Sequence, residues 1–374
     1  MKILFPFYPL HSGGFPSDRV QDGVVASCNM QVEALLAHGH EVTLIVTRDF
    51  QVDDSRVEII VGDFDSKELT GRTPWTALTK KILEVESEFD VIILNMAELP
   101  MTSDDIRSQF EKVLPRVRVI YHHYDERAFS SFFVTQYQFM AWVKRNRGKV
   151  FTVSSLFNEH SGKVFKKEDI ISDNPYHNPH LPIKREEFEH LDMTVSLDPK
   201  APLTEDGGYV MIGRASKEKN ILLGIQAFCA TDIDDPLYVF TCPSSAKKEA
   251  EYFESIVDSQ DDSRVHVQVS ATREQILHRL SGAKCVLYPS KKESFGLVAM
   301  EALSYGCGLI HSERHSFFAK GLGTLVEKPT VKSFAKAIRD YTTEGTKQER
   351  SDAFQSEHSL EKFQERYCFN LLKG

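Results

Sequence analysis

Two series of short apolar runs, each run separated from the next by helix-like sequence, limit what this chain can fold into. The first series is KILFPF (2–7), EVTLIV (41–46), VEIIV (57–61), DVIILN (90–95), VRVIYH (117–122) and KVFTVS (149–154). Each run is rich in Val and Ile and apolar on both faces, as strands buried in a parallel sheet are. Helical sequence lies between them, as at 24–38, closed by Gly39, and at 131–146. The second series resumes with YVMIG (209–213), LYVFTC (237–242), VHVQV (265–269), CVLYPS (285–290) and CGLIHS (307–312). Between the series, residues 172–208 carry five prolines and many polar side chains, which break the rhythm. The pattern predicts an α/β chain of two doubly wound Rossmann-like domains, 1–175 and 207–355, joined by a linker at 176–206. Ligands of such sheets bind beyond the carboxyl ends of the strands, so the two domains are expected to face one another across a binding cleft.

Bulk properties agree with this division. A chain of 374 residues is too long for one ordinary core. Hydrophobic and charged contents of 41% and 26% are those of a soluble globular protein. No apolar run approaches the roughly 18 residues that span a bilayer. The opening MKILFPFYPL reads as a first strand, not a signal peptide, which needs a longer apolar region and a cleavage site. Cys28, Cys229, Cys242, Cys285, Cys307 and Cys368 show no metal or redox spacing, which predicts reduced thiols and a cytoplasmic protein. The net charge of −9 argues against a surface coated for nonspecific nucleic-acid binding and leaves room for a local basic groove. No feature of the sequence sets an oligomeric state.

Glu293 and Glu301 flank a Ser-Phe-Gly turn signal in KKESFGLVAMEALSYGCG (291–308). The pattern places Glu293 in a strand-to-helix turn and a helix from near Ser294 to about Tyr305, stopped by Gly306. The amides of Phe295, Gly296 and Leu297 would then fall in the first helical turn, where unpaired N–H groups and the helix dipole suit a phosphate. Gly296 would allow close backbone approach. Glu301, two turns further in, could accept hydrogen bonds from vicinal ribose hydroxyls. By spacing alone, a surface helix bearing two solvated glutamates fits equally well.

ESFGLVAME resembles the E-x7-E motif of retaining glycosyltransferases of the two-domain GT-B fold, in particular glycosyltransferase family 4. YVMIGRASKEKNILLGIQAF (209–228) is similar to that family's strand, Gly-Arg, loop, Lys and helix unit. HSLEKFQERYCFNLLK (358–373) is similar to its closing helix, which crosses back to the first domain and here would span 356–374. The resemblance implies an acceptor-side first domain and a second domain that binds a nucleotide-sugar, most expectedly a UDP-sugar. Arg214 and Lys219 would neutralise the diphosphate. Glu293 would contact the donor sugar's hydroxyls, the amides of Ser294, Phe295, Gly296 and Leu297 the phosphates, and Glu301 the ribose. Gly13 and Gly14, in the long loop YPLHSGGFPSDRVQDG (8–23), match a Gly-Gly loop that approaches the donor phosphate. VIYHHYDE (119–126) brings His122, His123 and Asp125 to a strand end where the family keeps a catalytic-region His. His123 is favoured over His122, because the first His can alternate into the sheet.

The retaining family implies that the acceptor hydroxyl attacks the face from which the diphosphate departs. Arg214, Lys219 and the helix amides would supply positioning and charge stabilisation. No cofactor is required. Asp63 and Asp65 in GDFDS have a metal-binding spacing but read as a surface turn, so no essential metal is expected. Lys144, Arg145 and Arg147, with Lys149 and then Lys163, Lys166 and Lys167, form a basic stretch beside many aromatics, which can serve an acceptor such as nucleic acid or merely solvate a helix end. RVIYHHYDE and DVIILNMAELPMTS are also similar to segments of bacteriophage DNA α-glucosyltransferases. That likeness implies a hydroxymethylated pyrimidine of duplex DNA as acceptor, in a host cytoplasm. A glycan, a lipid-linked or a small-molecule acceptor remains open, as does a nucleotide-sugar epimerase or hydrolase. The chain has GCGLI where many family members have Gly-x-Pro-Val-Ile, and SERHSFFAKG replaces the downstream Gly-rich loop, which affects donor-sugar contacts at that edge.

Overall fold

The computed structural model describes residues 1–6, 23–46, 55–62, 72–95, 104–121, 139–153, 189–199, 201–205, 207–243, 250–291, 293, 295–312 and 322–373. They form two compact α/β units. One is built on residues up to Met193 and closes with Gln364–Gly374; the other is built on Thr194–Phe363.

In the first unit the described strands are β1 (Lys2–Pro6), β2 (Glu41–Val46), β3 (Glu58–Val61), β4 (Val91–Leu94), β5 (Val117–Tyr121), β6 (Lys149–Thr152) and β7 (Glu189–His190). They pair in the order β3-β2-β1-β4-β5-β6-β7, every neighbour parallel. The second unit has β8 (Tyr209–Ala215), β9 (Leu237–Pro243), β10 (Val265–Val269), β11 (Cys285–Tyr288), β12 (Gly308–His311) and β13 (Thr324–Leu325), in the order β10-β9-β8-β11-β12-β13, again all parallel. Both sheets run outward for three strands, then jump back across the first and run the other way. That reversal defines a doubly wound sheet, as the sequence pattern predicts.

The central strands carry few polar residues, as strands covered on both faces do. β4, β5 and β11 are buried throughout. β3 departs from the expected full burial: Ile59 is 39% and Val61 55% exposed. It ends the sheet order, so one of its sides has no partner strand among the described residues.

The division at Met193 falls inside the proline-rich stretch. Glu189–His190 extends the first sheet, in register with Phe151 and Thr152. A few residues on, Val195 N donates to Met300 Sδ (3.5 Å) and Leu197 N to Ser304 Oγ (3.0 Å), both in the second unit. The last helix, Leu360–Leu372, returns to the first unit from Gln364 onward. There Tyr367 is buried and its hydroxyl donates to Gln31 Oε1 (2.9 Å), while Arg118 Nε donates to Leu371 O (3.1 Å). Among the described residues, no helix is long and apolar enough to cross a membrane.

Candidate functional site

The order of the second sheet reverses between β8 and β11, which are adjacent, with Tyr209 opposite Cys285 and Val210 opposite Val286. At such a reversal the loops leaving the two carboxyl ends diverge to opposite faces and open a crevice. The residues that follow β8 and β11 therefore occupy the position where a doubly wound sheet takes its ligand.

Arg214 is the penultimate residue of β8 and is exposed. A tight turn follows it. Ser216 N donates to Arg214 O (2.8 Å), and Ser216 O accepts from Lys219 N (3.1 Å) and Asn220 N (3.2 Å). Asn220 takes a left-handed conformation (φ 53°) at the head of the helix Ile221–Cys229. Asn tolerates that region better than branched residues do. The helix lies close over the sheet because residue 224 is Gly. A Cβ there would come within 2.5 Å of Met211 Cε and 3.2 Å of Pro289 Cγ.

The turn after β8 is knitted to the turn after β11. Lys291 N donates to Glu218 O (2.8 Å). Lys219 Nζ and Ser290 Oγ both donate to Glu293 Oε1, each at 2.6 Å. Ser290 O in turn accepts from Ser312 Oγ (2.6 Å), just beyond β12. Glu293 keeps only 8% of its surface, so its charge is offset inside the protein, chiefly by Lys219. The phenol of Tyr288, at the end of β11, is held well above its ordinary pKa by burial, with the negative charge and hydrogen bond of Glu293 adding to it.

The helix after this turn is Leu297–Ser304, three residues later than the sequence suggests. Gly296 has φ +86°, a left-handed conformation that no helical residue holds, so the helix opens only after it. Of the three amides expected in the first turn, that of Leu297 lies there, while Phe295 and Gly296 precede the helix. Glu301 is 6% exposed, and its Oε1 stands 2.6 Å from Arg273 Nη1. Burial pushes the Glu301 carboxyl pKa up, and Arg273 opposes that through its charge and hydrogen bond.

The structure thus brings Lys219 and Glu293 into contact and places Arg214 and Glu301 on elements leaving the same strand pair. Sequence reasoning missed Ser290, Tyr288 and Arg273. A signal existed for the last: Thr272-Arg-Glu-Gln275 is a capping box, which fixes Arg273 as the first residue of its helix.

Lys144, Arg145, Arg147 and Lys149 lie before or at the start of β6, at the amino end of the strand. The carboxyl ends, where a ligand is expected, are at the opposite edge of the sheet. Lys144 Nζ is 3.9 Å from Glu189 Oε1, and Lys149 Nζ donates to the Lys373 carbonyl. In the same unit Asn95, directly after β4, accepts from Gln31 Nε2 through Oδ1 (2.8 Å). Gly13, Gly14, Asp63, Asp65, His122, His123, Asp125, Lys163, Lys166, Lys167 and Ser294 lie outside the described residues. Among the described residues, no group of three or more His, Cys, Asp or Glu is placed to hold a metal ion.

Comparison with known proteins bears on this geometry. Residues 198–356 match the family model for glycosyl transferases group 1. The group 1 match takes in Arg214, Lys219, Glu293 and Glu301 and runs from before β8 into the helix Lys347–His358. No curated protein sequence matches the chain. In structure the chain is similar to sucrose-phosphate synthase from Thermosynechococcus elongatus, with a TM-score of 0.69 at 15% identity, over 97% of this chain and 96% of that one. It is similar to Alr3699/HepE of Anabaena in complex with UDP and glucose, with a TM-score of 0.67 at 13% identity, over the full length of both. It is also similar to an α-glucosyltransferase (AGT) in complex with UDP, with a TM-score of 0.61 at 13% identity, over 100% and 99% of the two chains. Identities this low show a shared fold, the two parallel-sheet units of GT-B glycosyltransferases.

Proposed function

We propose that the chain is a retaining glycosyltransferase that moves a hexosyl or pentosyl group from a nucleoside-diphosphate sugar, a UDP-sugar, to an acceptor hydroxyl. The observation that carries this is the Lys219–Glu293 pair at the β8/β11 reversal, formed from the turn that follows Arg214. Arg214 is exposed near the carboxyl end of β8 and Lys219 stands just before the next helix, so a diphosphate placed there would meet two cations, one of them shared with Glu293. The group 1 match over this segment and the UDP complexes of structurally similar proteins support the same chemistry.

In this assignment Arg214 grips two diphosphate oxygens and Lys219 a third. Glu293, fixed by Ser290 and Lys219, accepts from hydroxyls of the donor sugar. The amide of Leu297, with those of Ser294, Phe295 and Gly296, faces the phosphates, and Glu301 accepts from the ribose. Gly13 and Gly14 are assigned to the donor phosphate, and His123, with His122 and Asp125, to the sugar and acceptor. The acceptor oxygen forms its bond to the anomeric carbon on the face that the diphosphate leaves. The bond from that carbon to the diphosphate oxygen breaks with its electron pair, and the leaving oxygen takes the acceptor's proton. No cofactor or metal enters the reaction. Removing one charge-stabilising donor from such a site costs on the order of 3 kcal/mol of barrier.

For the acceptor, the similarity of segments 90–103 and 118–126 to bacteriophage DNA α-glucosyltransferases favours a hydroxymethylated pyrimidine in duplex DNA. Lys144, Arg145 and Arg147, at the amino edge of the first sheet, have no part in this assignment. The test is transfer of labelled sugar from UDP- and other nucleotide-sugars to unmodified and hydroxymethylated duplex DNA, with the anomer read by NMR. Transfer to the hydroxymethylated duplex alone, with retained configuration, is the expected result. Release of free sugar from donor alone would point to a hydrolase. No transfer to that duplex with any donor would remove DNA as the acceptor.

A further inference from the structure

Glu301 is buried one turn into its helix, and its charge has a partner the sequence does not announce. Arg273, on a different helix, reaches its Oε1 at 2.6 Å while 37% of the arginine side chain stays in solvent. The segment that delivers Arg273 is tightly set. Ser270, directly after β10, holds φ +57°, a left-handed conformation uncommon for a residue with a side chain. Its N–H donates to Thr241 O (2.8 Å) on the neighbouring strand β9. Thr272 then caps the helix Arg273–Gly282: its Oγ1 accepts from Gln275 N (3.2 Å), and Gln275 Oε1 accepts from Thr272 N (2.8 Å). The far end of that helix is pinned by Lys347, whose buried Nζ donates to Leu280 O, Ser281 O and Ala283 O at 2.6–2.8 Å. A cation at the first position of a helix gains nothing from the helix dipole. What Arg273 gains is Glu301.

We propose that Arg273 is a positioning residue for the nucleotide's ribose: it holds Glu301 as an aimed carboxylate and so makes the site select ribonucleoside over 2′-deoxyribonucleoside diphosphates. The inference rests on the nucleotide-sugar assignment above and deepens it. A carboxylate offers about four acceptor directions. The bond to Arg273 uses Oε1 and leaves acceptor capacity for vicinal hydroxyls. It also fixes which way the carboxylate points, because the guanidinium is planar and its helix is anchored at both ends. A nucleotide lacking the 2′-hydroxyl leaves a buried, charged acceptor without its donor, the condition under which sites discriminate strongly.

Calorimetric binding of UDP and GDP, each beside its 2′-deoxy counterpart, tests this on the intact chain. The variants are Arg273→Gln, Arg273→Lys, Glu301→Gln and the double Arg273→Gln/Glu301→Gln, each checked by thermal melting for a folded state. The wild-type chain is expected to prefer the ribonucleotide about 10- to 100-fold, the range of one hydrogen bond to a charged group. In Arg273→Gln that ratio should collapse toward one, and in Arg273→Lys most of it should return. The double variant should discriminate no less than Glu301→Gln alone, since the two residues act as one unit. An unchanged preference in Arg273→Gln, or an equal loss of affinity for both nucleotides, would overturn the inference and leave the nucleotide assignment standing. No binding of either ribonucleotide by the wild-type chain would overturn that assignment, and the inference with it.

Discussion

Lys219 and Glu293 meet at 2.6 Å, Nζ to Oε1, although 74 residues separate them in sequence. The contact joins the turn after β8 to the turn after β11, so a single ion pair spans the point where the sheet order reverses. It holds the lysine beside the place assigned to the diphosphate. Lys219→Met should weaken nucleoside-diphosphate binding about 10- to 100-fold, by loss of one charge-assisted bond. It also leaves the buried Glu293 carboxylate with neutral partners such as Ser290 and Tyr288 in place of an ammonium, so the melting temperature should fall. Calorimetry and a thermal melt on the same preparation check both.

Gly224 allows the helix Ile221–Cys229 to press on Met211 and Pro289, and Pro289 precedes Ser290 in the Glu293 turn. A larger residue meets a methionine end that can rotate and a proline ring that cannot. Gly224→Val should therefore destabilise the fold by about 1–3 kcal/mol, the cost of overpacking. Because the push falls on Pro289, nucleotide binding should weaken beyond what Gly224→Ala produces. Urea denaturation and nucleotide titration of both variants measure this.

Arg264 ties down the segment that follows the same helix, donating to Thr231 O (3.0 Å) and Ile233 O (2.6 Å). It is held by Asp262, with Nε to Oδ1 at 2.9 Å and Nη2 to Oδ2 at 2.6 Å. The side-chain hydrogen bonds from Arg264, then its backbone N–H, hold the Asp262 carboxyl well below the usual range. With the folded-state pKa below the unfolded one, the unfolded chain binds more protons between the two, so stability rises with pH there. The contribution is whole above an unfolded pKa of about 3.9 and is lost as pH falls toward the folded value. Asp262→Asn should cost about 1–2 kcal/mol at pH 7, and the gap to wild type should close in acid. Stability against pH for the two proteins checks the sign.

Lys347 is 3% exposed and donates to three carbonyls at the end of the helix Arg273–Gly282. Burial lowers its pKa, so the buried ammonium depends on those bonds. Lys347→Met removes a donor shared by three carbonyls, of which Leu280 O and Ser281 O keep backbone donors from Ala283 and Thr204, and should destabilise the second unit by about 1–3 kcal/mol. Urea denaturation gives the number. Loss of the anchor should also lessen the preference for ribonucleotides, since Arg273 opens that helix.

The strands were legible because a parallel strand covered on both faces needs nearly every residue apolar: VIIL, VRVIY and CVLY announce themselves. β7 and β13, two residues each, leave no periodic trace. The Leu297–Ser304 helix was legible in kind and misplaced at its start, because a Gly reads as a flexible spacer until its φ is known to be left-handed. The charged residues of the site were found by type, but their pairing was not. Arg273 and Glu301 lie 28 residues apart on helices separated by a strand, and only folding brings them to 2.6 Å. The basic run at Lys144–Lys149 carried the opposite lesson: charge density is visible in sequence, while the sheet edge it decorates depends on which end of β6 the turn enters.

The most direct test of the account is calorimetric titration of UDP into the wild-type chain and into Arg214→Ala. Arg214 is exposed on β8, so its removal should leave the melting temperature within about 1 °C of wild type. Saturable binding to wild type that weakens about 10- to 100-fold in the variant is the expected result. Equal affinity in the two proteins would contradict the placement of the diphosphate at the β8/β11 reversal.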